Sequence, residues 1–169
     1  GKKESKKNTS PSFLFLMNAV TKKDVKMGDK FDLTISPKHV TEFTDRPYHL
    51  AHPISPKHLQ LILNNMIHKE KNPPNSSLVV FYKNKENQKD IDDSSFIVEI
   101  IDSKLSNNLL TLTLKPIGDS AVKNSKNFKD IPKDTVISMT IDNEEKPCCP
   151  TFWRVAGLGS NLFCMGCQW

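Results

Sequence analysis

Regular alternation of apolar and polar residues is the feature that most constrains how this 169-residue chain can fold. Residues 30–36 carry an apolar side chain at every second position, and residues 110–114 alternate leucine with threonine. Residues 135–142 repeat this pattern. Because successive side chains of a β-strand point to opposite faces, each segment presents one apolar face to a core. The framework that we expect is therefore a β-sheet with one buried face.

Other apolar segments, at 12–20, 40–44, 78–82 and 96–101, add further short strands between stretches rich in turn residues. Asn107 and Asn108, for example, are typical of a tight turn between two strands. Several short strands joined by turns are typical of an antiparallel β-sandwich, immunoglobulin-like or related. The sequence therefore predicts a mainly β fold of this kind.

A single helix is predicted in the middle of the chain. Ser55 is a favourable N-cap, and Pro56 fits the first helical position. Apolar residues then recur at helical spacing, at Leu59, Ile62, Leu63, Met66 and Ile67. Since Pro73 and Pro74 cannot continue a helix, we expect it to end near residues 69–72. The apolar stripe predicts a helix packed on the sheet.

The length predicts one domain, at 12–169, preceded by a disordered basic lead-in at 1–11. A cysteine-rich tail, 147–169, is expected to pack on that domain. The net charge of +5 comes almost entirely from lysine. Specific nucleic-acid sites favour arginine, so this composition argues against one. No segment is long and apolar enough to predict a membrane span.

Two short motifs carry a resemblance to a known group of proteins. One is Phe43-Thr44-Asp45-Arg46-Pro47, and the other is the NPPNSSL segment at 72–78. Together with the surrounding order of strands and helix, they resemble small, exported, uncharacterised β-rich proteins of bacteria and archaea. That group commonly has a basic residue after the proline of the first motif, where this chain has Tyr48. The resemblance implies export and a β fold, and no activity.

All four cysteines lie in the tail, as Cys148, Cys149, Cys164 and Cys167. Two disulfides between the first pair and the second would close the largest loops, at about 3 kcal/mol per bridge. The alternative is zinc held by four thiolates, although the adjacent first pair departs from the usual spacing. A redox Cys-x-x-Cys lacks the βαβ setting expected around it. The cysteines favour disulfides and a secreted or periplasmic location.

A polar cluster follows the predicted strand at 40–44, and its members are Asp45, Arg46, Tyr48, His49 and His52. An Asp–Arg pair that fixes a turn is the simpler interpretation of this cluster. A binding role is the alternative, in which Asp45, His49 and His52 hold a metal ion or Asp45 orients His49 as a base. These residues are therefore a candidate binding cluster.

The tail also carries an aromatic group, made of Phe152, Trp153, Phe163 and Trp169. Exposed aromatic residues are common at protein interfaces, so this group is a candidate surface for a partner. Packing of the tail over the sheet is the structural alternative, and Gly157 and Gly159 would let the chain fold back.

The motifs of common enzyme classes are missing from the sequence. There is no nucleophile elbow, phosphate-binding glycine loop, zinc-protease helix or calcium loop. The sequence therefore favours an exported binding or surface-interaction module without a cofactor. Its partner would be an unknown protein or a ligand of the envelope or host surface. The alternatives are a metal-binding protein, with zinc at the cysteines or a metal at the histidine cluster, and an enzyme with dispersed catalytic residues.

Thiol titration of the denatured, unreduced protein tests the disulfide prediction. We expect no free thiol, because two bridges consume all four cysteines. Four free thiols together with one bound zinc ion would contradict the disulfides and support the metal alternative.

Overall fold

The alternating segments form seven strands in a computed structural model that describes residues 13–44, 51–83, 91–118 and 129–143. The strands are β1 (Phe13–Thr21), β2 (Phe31–Thr44), β3 (Ala51–Pro53), β4 (Asn75–Lys83), β5 (Ile91–Ser106), β6 (Leu109–Pro116) and β7 (Val136–Asn143). Between β3 and β4 lie the helix α1 (Pro56–Asn64) and a π-helical turn (Asn65–Lys69) that continues it.

Six of these strands close into an antiparallel barrel. The hydrogen-bonded order is β1-β7-β4-β5-β6-β2, and β2 pairs again with β1. The prediction of a mainly β, antiparallel fold with one helix is thus confirmed, whereas the closed barrel is not clearly the β-sandwich that the sequence predicts. A strand with one apolar face is equally suited to both architectures, and the pairing of β1 with β2 selects the barrel.

The barrel interior is filled by alternate residues of every strand. On β6, the leucines at 110, 112 and 114 are buried, and on β7 the same holds for Ile137, Met139 and Ile141, as the alternation predicts. The other strands contribute Phe15, Met17, Ala19, Phe31, Leu33, Ile35, Leu78, Val80, Tyr82, Phe96, Val98 and Ile100. Val25 and Ile131 form a bridge beyond the end of β1 and are also buried. The barrel is therefore a packed core.

Two irregularities change which residues point inward. Between β1 and β2 the register shifts, so that Asn18 pairs with His39 and Ala19 with Pro37, leaving Lys38 as an extra residue. Between β5 and β6 the corresponding extra residue is Ile101. An extra residue in a strand moves the following side chains to the other face. Beyond Lys38, the even-numbered residues of β2 face the interior in place of the odd-numbered ones. Beyond Ile101, the odd-numbered residues of β5 face the interior in place of the even-numbered ones.

The helix is built as its sequence signals predict. Ser55 Oγ accepts a hydrogen bond from the His58 backbone N–H at 3.1 Å, and Pro56 is the first helical residue. Its apolar stripe is buried, which confirms the core interpretation, and it packs mainly on β5 with a smaller contact on β2. The last predicted turn is π-helical and ends at Lys69, before the prolines.

The remaining differences concern strand length. The segments at 30–36 and 40–44 belong to one strand, β2, and β3 was not predicted. Asn107 and Asn108 form the predicted turn, with φ of 51° and 63°, which suits the tight hairpin between β5 and β6. The lead-in at 1–11, most of the binding cluster and the tail at 147–169 with its predicted disulfides lie outside the described residues.

Packing of α1 on the barrel is tested by two leucine-to-alanine substitutions on the same helix. Leu63 is fully buried, whereas Leu61 is 50% exposed. We expect Leu63→Ala to lower the free energy of unfolding by about 2–5 kcal/mol, because it leaves a cavity. The change at Leu61 should stay within about 0.5 kcal/mol. Urea unfolding measures both, and equal losses would contradict the packing.

Candidate functional site

The helix end of the barrel carries a buried carboxyl group, that of Glu42. This residue lies on β2 beyond the extra residue Lys38, so the shift in parity directs Glu42 inward together with Val40. On β1 its direct neighbour is Phe15, which is also buried. The extra residue Lys38 forms a β-bulge. This bulge turns the carboxyl group of Glu42 toward the interior, where β2 otherwise places mainly apolar side chains.

Glu42 is only 1% exposed, and among the residues that the structure describes its Oε1 atom has no hydrogen-bond partner. A buried polar atom without a partner costs about 1–3 kcal/mol, and more if the group is charged. Burial accordingly raises the pKa of Glu42 from 4.5 to about 8. At neutral pH the side chain is mostly a neutral carboxylic acid, which can donate one hydrogen bond and accept others.

One histidine lies beside this carboxyl group, and a second lies near the first. His52 of β3 is the direct cross-strand partner of Glu42, so the two side chains share one face of the sheet. His52 is exposed and forms the rim, whereas His58, in the first turn of α1, is half-buried. Burial lowers the pKa of His58, and the nearby charge of His52 lowers it further. His52 thus lies next to Glu42 across the strand pair and also acts electrostatically on His58.

A second polar contact holds the far end of the helix to the barrel. His68 Nε2 lies 3.3 Å from Asp102 Oδ1, and Ser103 Oγ donates to Asn64 Oδ1 at 2.7 Å. The His68 and Asp102 side chains are both exposed, by 61% and 37%, so their attraction is screened by water. These contacts orient the helix on β5, and we assign them a structural role.

Of the predicted binding cluster, only His52 lies within the described residues. Asp45, Arg46, Tyr48 and His49 belong to the segment 45–50, which connects the strands that carry Glu42 and His52. The four cysteines and the aromatic residues Phe152, Trp153, Phe163 and Trp169 also lie outside the described part. Glu42 was missed, because a single glutamate in an apolar segment carries no motif.

In the ranges 13–44, 51–83, 91–118 and 129–143, no three His, Cys, Asp or Glu residues are grouped so that they could hold a metal ion. Within the same ranges, α1 and its π-helical turn are too short to cross a membrane, and the structure describes no longer helix.

Comparison of the chain with protein-family models, curated proteins and solved structures finds no match.

The ionisation of Glu42 predicts how stability depends on pH. Its folded pKa of about 8 exceeds the ordinary 4.5, so between these values the folded state keeps a proton that the unfolded chain releases. Stability should therefore fall as pH rises through this window, by at most about 1.4 kcal/mol per pH unit and about 5 kcal/mol in all. Glu42→Gln removes this dependence and should be the more stable protein at pH 9.

The measurement is urea unfolding of both proteins from pH 5 to pH 9. Glu99→Gln, on the outer face of β5, is the matched control, because it leaves Glu42 in place and should keep the wild-type slope. Identical pH profiles for Glu42→Gln and the wild type would contradict the buried neutral carboxyl group.

Proposed function

We propose that this chain is an exported binding module that takes up its ligand at the helix end of the barrel, around Glu42. The observation that supports this most directly is a carboxyl group that is 1% exposed and whose Oε1 atom has no hydrogen-bond partner within the described part of the chain. Retaining such a group lowers stability, and an apolar residue would avoid that loss. A polar group kept at this cost is typical of a functional site.

The chemistry of the site restricts the ligand. A neutral carboxylic acid both donates and accepts hydrogen bonds, so its best match is a neutral group that does the same, such as a carboxamide. The neighbours Phe15 and Val40 are apolar, which favours an apolar body attached to that group. His52 and His58, nearer to the rim, add polar contacts. The ligand class is therefore an amide-bearing molecule or peptide side chain.

Access to Glu42 is expected from the edge of the sheet. The adjoining strand β3 has only three residues, all exposed, and pairs with β2 at 41–43. Short exposed elements open locally at low free-energy cost. Displacement of β3 would uncover Glu42 without opening the barrel itself, whose strands are longer and paired on both sides.

Export and the nature of the partner belong to the same proposal. Clustering of all four cysteines in the tail and the resemblance to exported β-rich proteins support a secreted or periplasmic location. A partner protein, or a ligand on the envelope or host surface, would then present the amide-bearing group. Zinc at the cysteines stays an alternative for the tail.

A second candidate is an enzyme that uses Glu42 as a general acid or base. The observation that favours it is the pKa of about 8, because an acid–base group works best near the surrounding pH. His58, with its pKa lowered by burial, would be the accompanying base. We place binding first, because it requires only the carboxyl group of Glu42.

Binding at Glu42 is tested by NMR chemical-shift mapping with two small probes of similar shape. Benzamide can donate and accept hydrogen bonds, whereas acetophenone can only accept them. At pH 6.5 we expect benzamide to shift backbone amide signals in β3, in the first turn of α1 and at 40–43. We expect affinity to fall about tenfold or more in Glu42→Leu, because about 1.4 kcal/mol of hydrogen bonding is lost.

Acetophenone should bind more weakly, and Glu99→Leu should behave as the wild type. Raising the pH to 9.5 should weaken benzamide binding, since the ionised carboxylate can no longer donate. Shifts that lie elsewhere, or that persist unchanged in Glu42→Leu, would contradict this site. Turnover of an amide substrate that depends on Glu42 would favour the enzyme instead.

A further inference from the structure

The outer surface of the barrel has a side without charge, formed by four neighbouring strands. Three rows of cross-strand neighbours run over β1, β7, β4 and β5. We call this surface the uncharged face, and its residues are Leu16, Thr140, Ser77 and Ile97, then Asn18, Ser138, Val79 and Ser95, then Val20, Val136 and Phe81. In a chain with 25% charged residues, eleven neighbouring positions without charge are unusual.

Charges begin at the borders of this face. Asp142 and Glu99 lie in the next row at the helix end. The opposite side of the barrel carries charged residues. Asp32 Oδ1 of β2 accepts a hydrogen bond from Thr113 Oγ1 of β6 at 2.8 Å, and Lys115 also lies on β6. An uncharged area with a polar border is typical of a docking surface.

Large apolar side chains on this face are open to solvent. Leu16, Ile97 and Val136 are 37%, 44% and 45% exposed. Among the described residues, the one other large hydrophobic side chain that is this exposed is Leu61, on α1. Three of four such residues thus share one face, although the strands that carry them are far apart in sequence.

The segment that follows β7 has the composition that this face requires. Residues 147–169 contain a single charged side chain, Arg154, and many apolar ones, including Phe152, Trp153 and Phe163. Left in water, they would form a second exposed apolar surface. A second copy of the chain would cover the face and leave the tail uncovered, whereas docking of the tail would cover both surfaces at once.

The point where the chain leaves the barrel allows this contact. β7 is an inner strand of the uncharged face and ends at Asn143, next to Phe13 of β1. The first row of the face, at Thr140, lies three residues before that end, which is about 10 Å along the strand. Four residue steps lead from Asn143 to Pro147 and span at most about 14 Å. The tail therefore starts within reach of the face.

We propose that the segment 147–169 docks on the uncharged face and covers Leu16, Ile97 and Val136. This contact is independent of the binding site at Glu42, which lies on the inner face of the barrel. It specifies where the tail packs, and it needs no particular pairing of the cysteines.

Fluorescence reports on the tail alone, because both tryptophans of the chain, Trp153 and Trp169, lie within it. In the full-length protein we expect a blue-shifted emission that resists quenching by acrylamide. The double substitution Leu16→Lys/Val136→Lys places two charges on the face. It should shift the emission to the red and raise the quenching constant at least twofold. Leu61→Lys adds a charge at similar exposure off the face and should change neither.

Circular dichroism confirms that each variant keeps its strands. Val136→Ser is a milder second variant that should give a smaller shift in the same direction.

Solvent-exposed tryptophans in the wild type would overturn the proposal, as would an emission that the folded double variant leaves unchanged. Sedimentation equilibrium identifies the competing occupant. A dimer that the double variant dissociates without altering tryptophan emission would assign the face to a second copy and also overturn the proposal.

Discussion

Closure of the barrel by the pairing of β1 with β2 is the constraint on which the rest of the structure depends. The β2 strand, Phe31–Thr44, is long enough to pair with β6 through its first half and with β1 through its second. Closure removes the free edges that an open sheet would leave on β1 and β2. It also turns one apolar face per strand into a single interior, which explains why so many strand residues have no exposed surface.

The same pairing explains the unusual carboxyl group. The extra residue Lys38 lets β2 bend from one neighbour to the other, and it also reverses the parity of the following residues. Glu42 enters the interior as a consequence, whereas the flanking Thr41 and Phe43 remain half-buried. The bend that closes the barrel and the burial of a polar group at its end are thus one structural feature.

The sequence predicted several strands and the helix, but it predicted neither the closure of the barrel nor the buried carboxyl group. Alternation predicted β6 and β7 with their buried faces, and the Ser55-Pro56 signal predicted the start of α1, because these features depend on residues close in sequence. The barrel was not predicted, since its closure depends on partners that are distant in sequence, such as Met17 and Val40, which are 23 residues apart. The residue pattern at 40–44 does not indicate that a bulge precedes it at Lys38. The burial of Glu42 therefore could not be predicted from the sequence.

Both surfaces with a proposed role, the site at Glu42 and the uncharged face, are formed by strand pairing. Glu42 and His52 become neighbours only when β2 and β3 pair, and the uncharged face arises only when β1, β7, β4 and β5 align. Neither group is contiguous in the sequence, so composition could not indicate them. The tail, by contrast, is conspicuous in the sequence, and its proposed docking surface becomes evident from the strand order.

The burial of Glu42 inside the closed barrel as a neutral acid is measured most directly by an NMR titration of its side-chain carboxyl carbon in the folded protein. The signal is assigned by comparison with Glu42→Gln. We expect a midpoint at a pH of about 8. A midpoint near the ordinary 4.5 would show a solvated carboxylate and would contradict the closed, bulged barrel end described here.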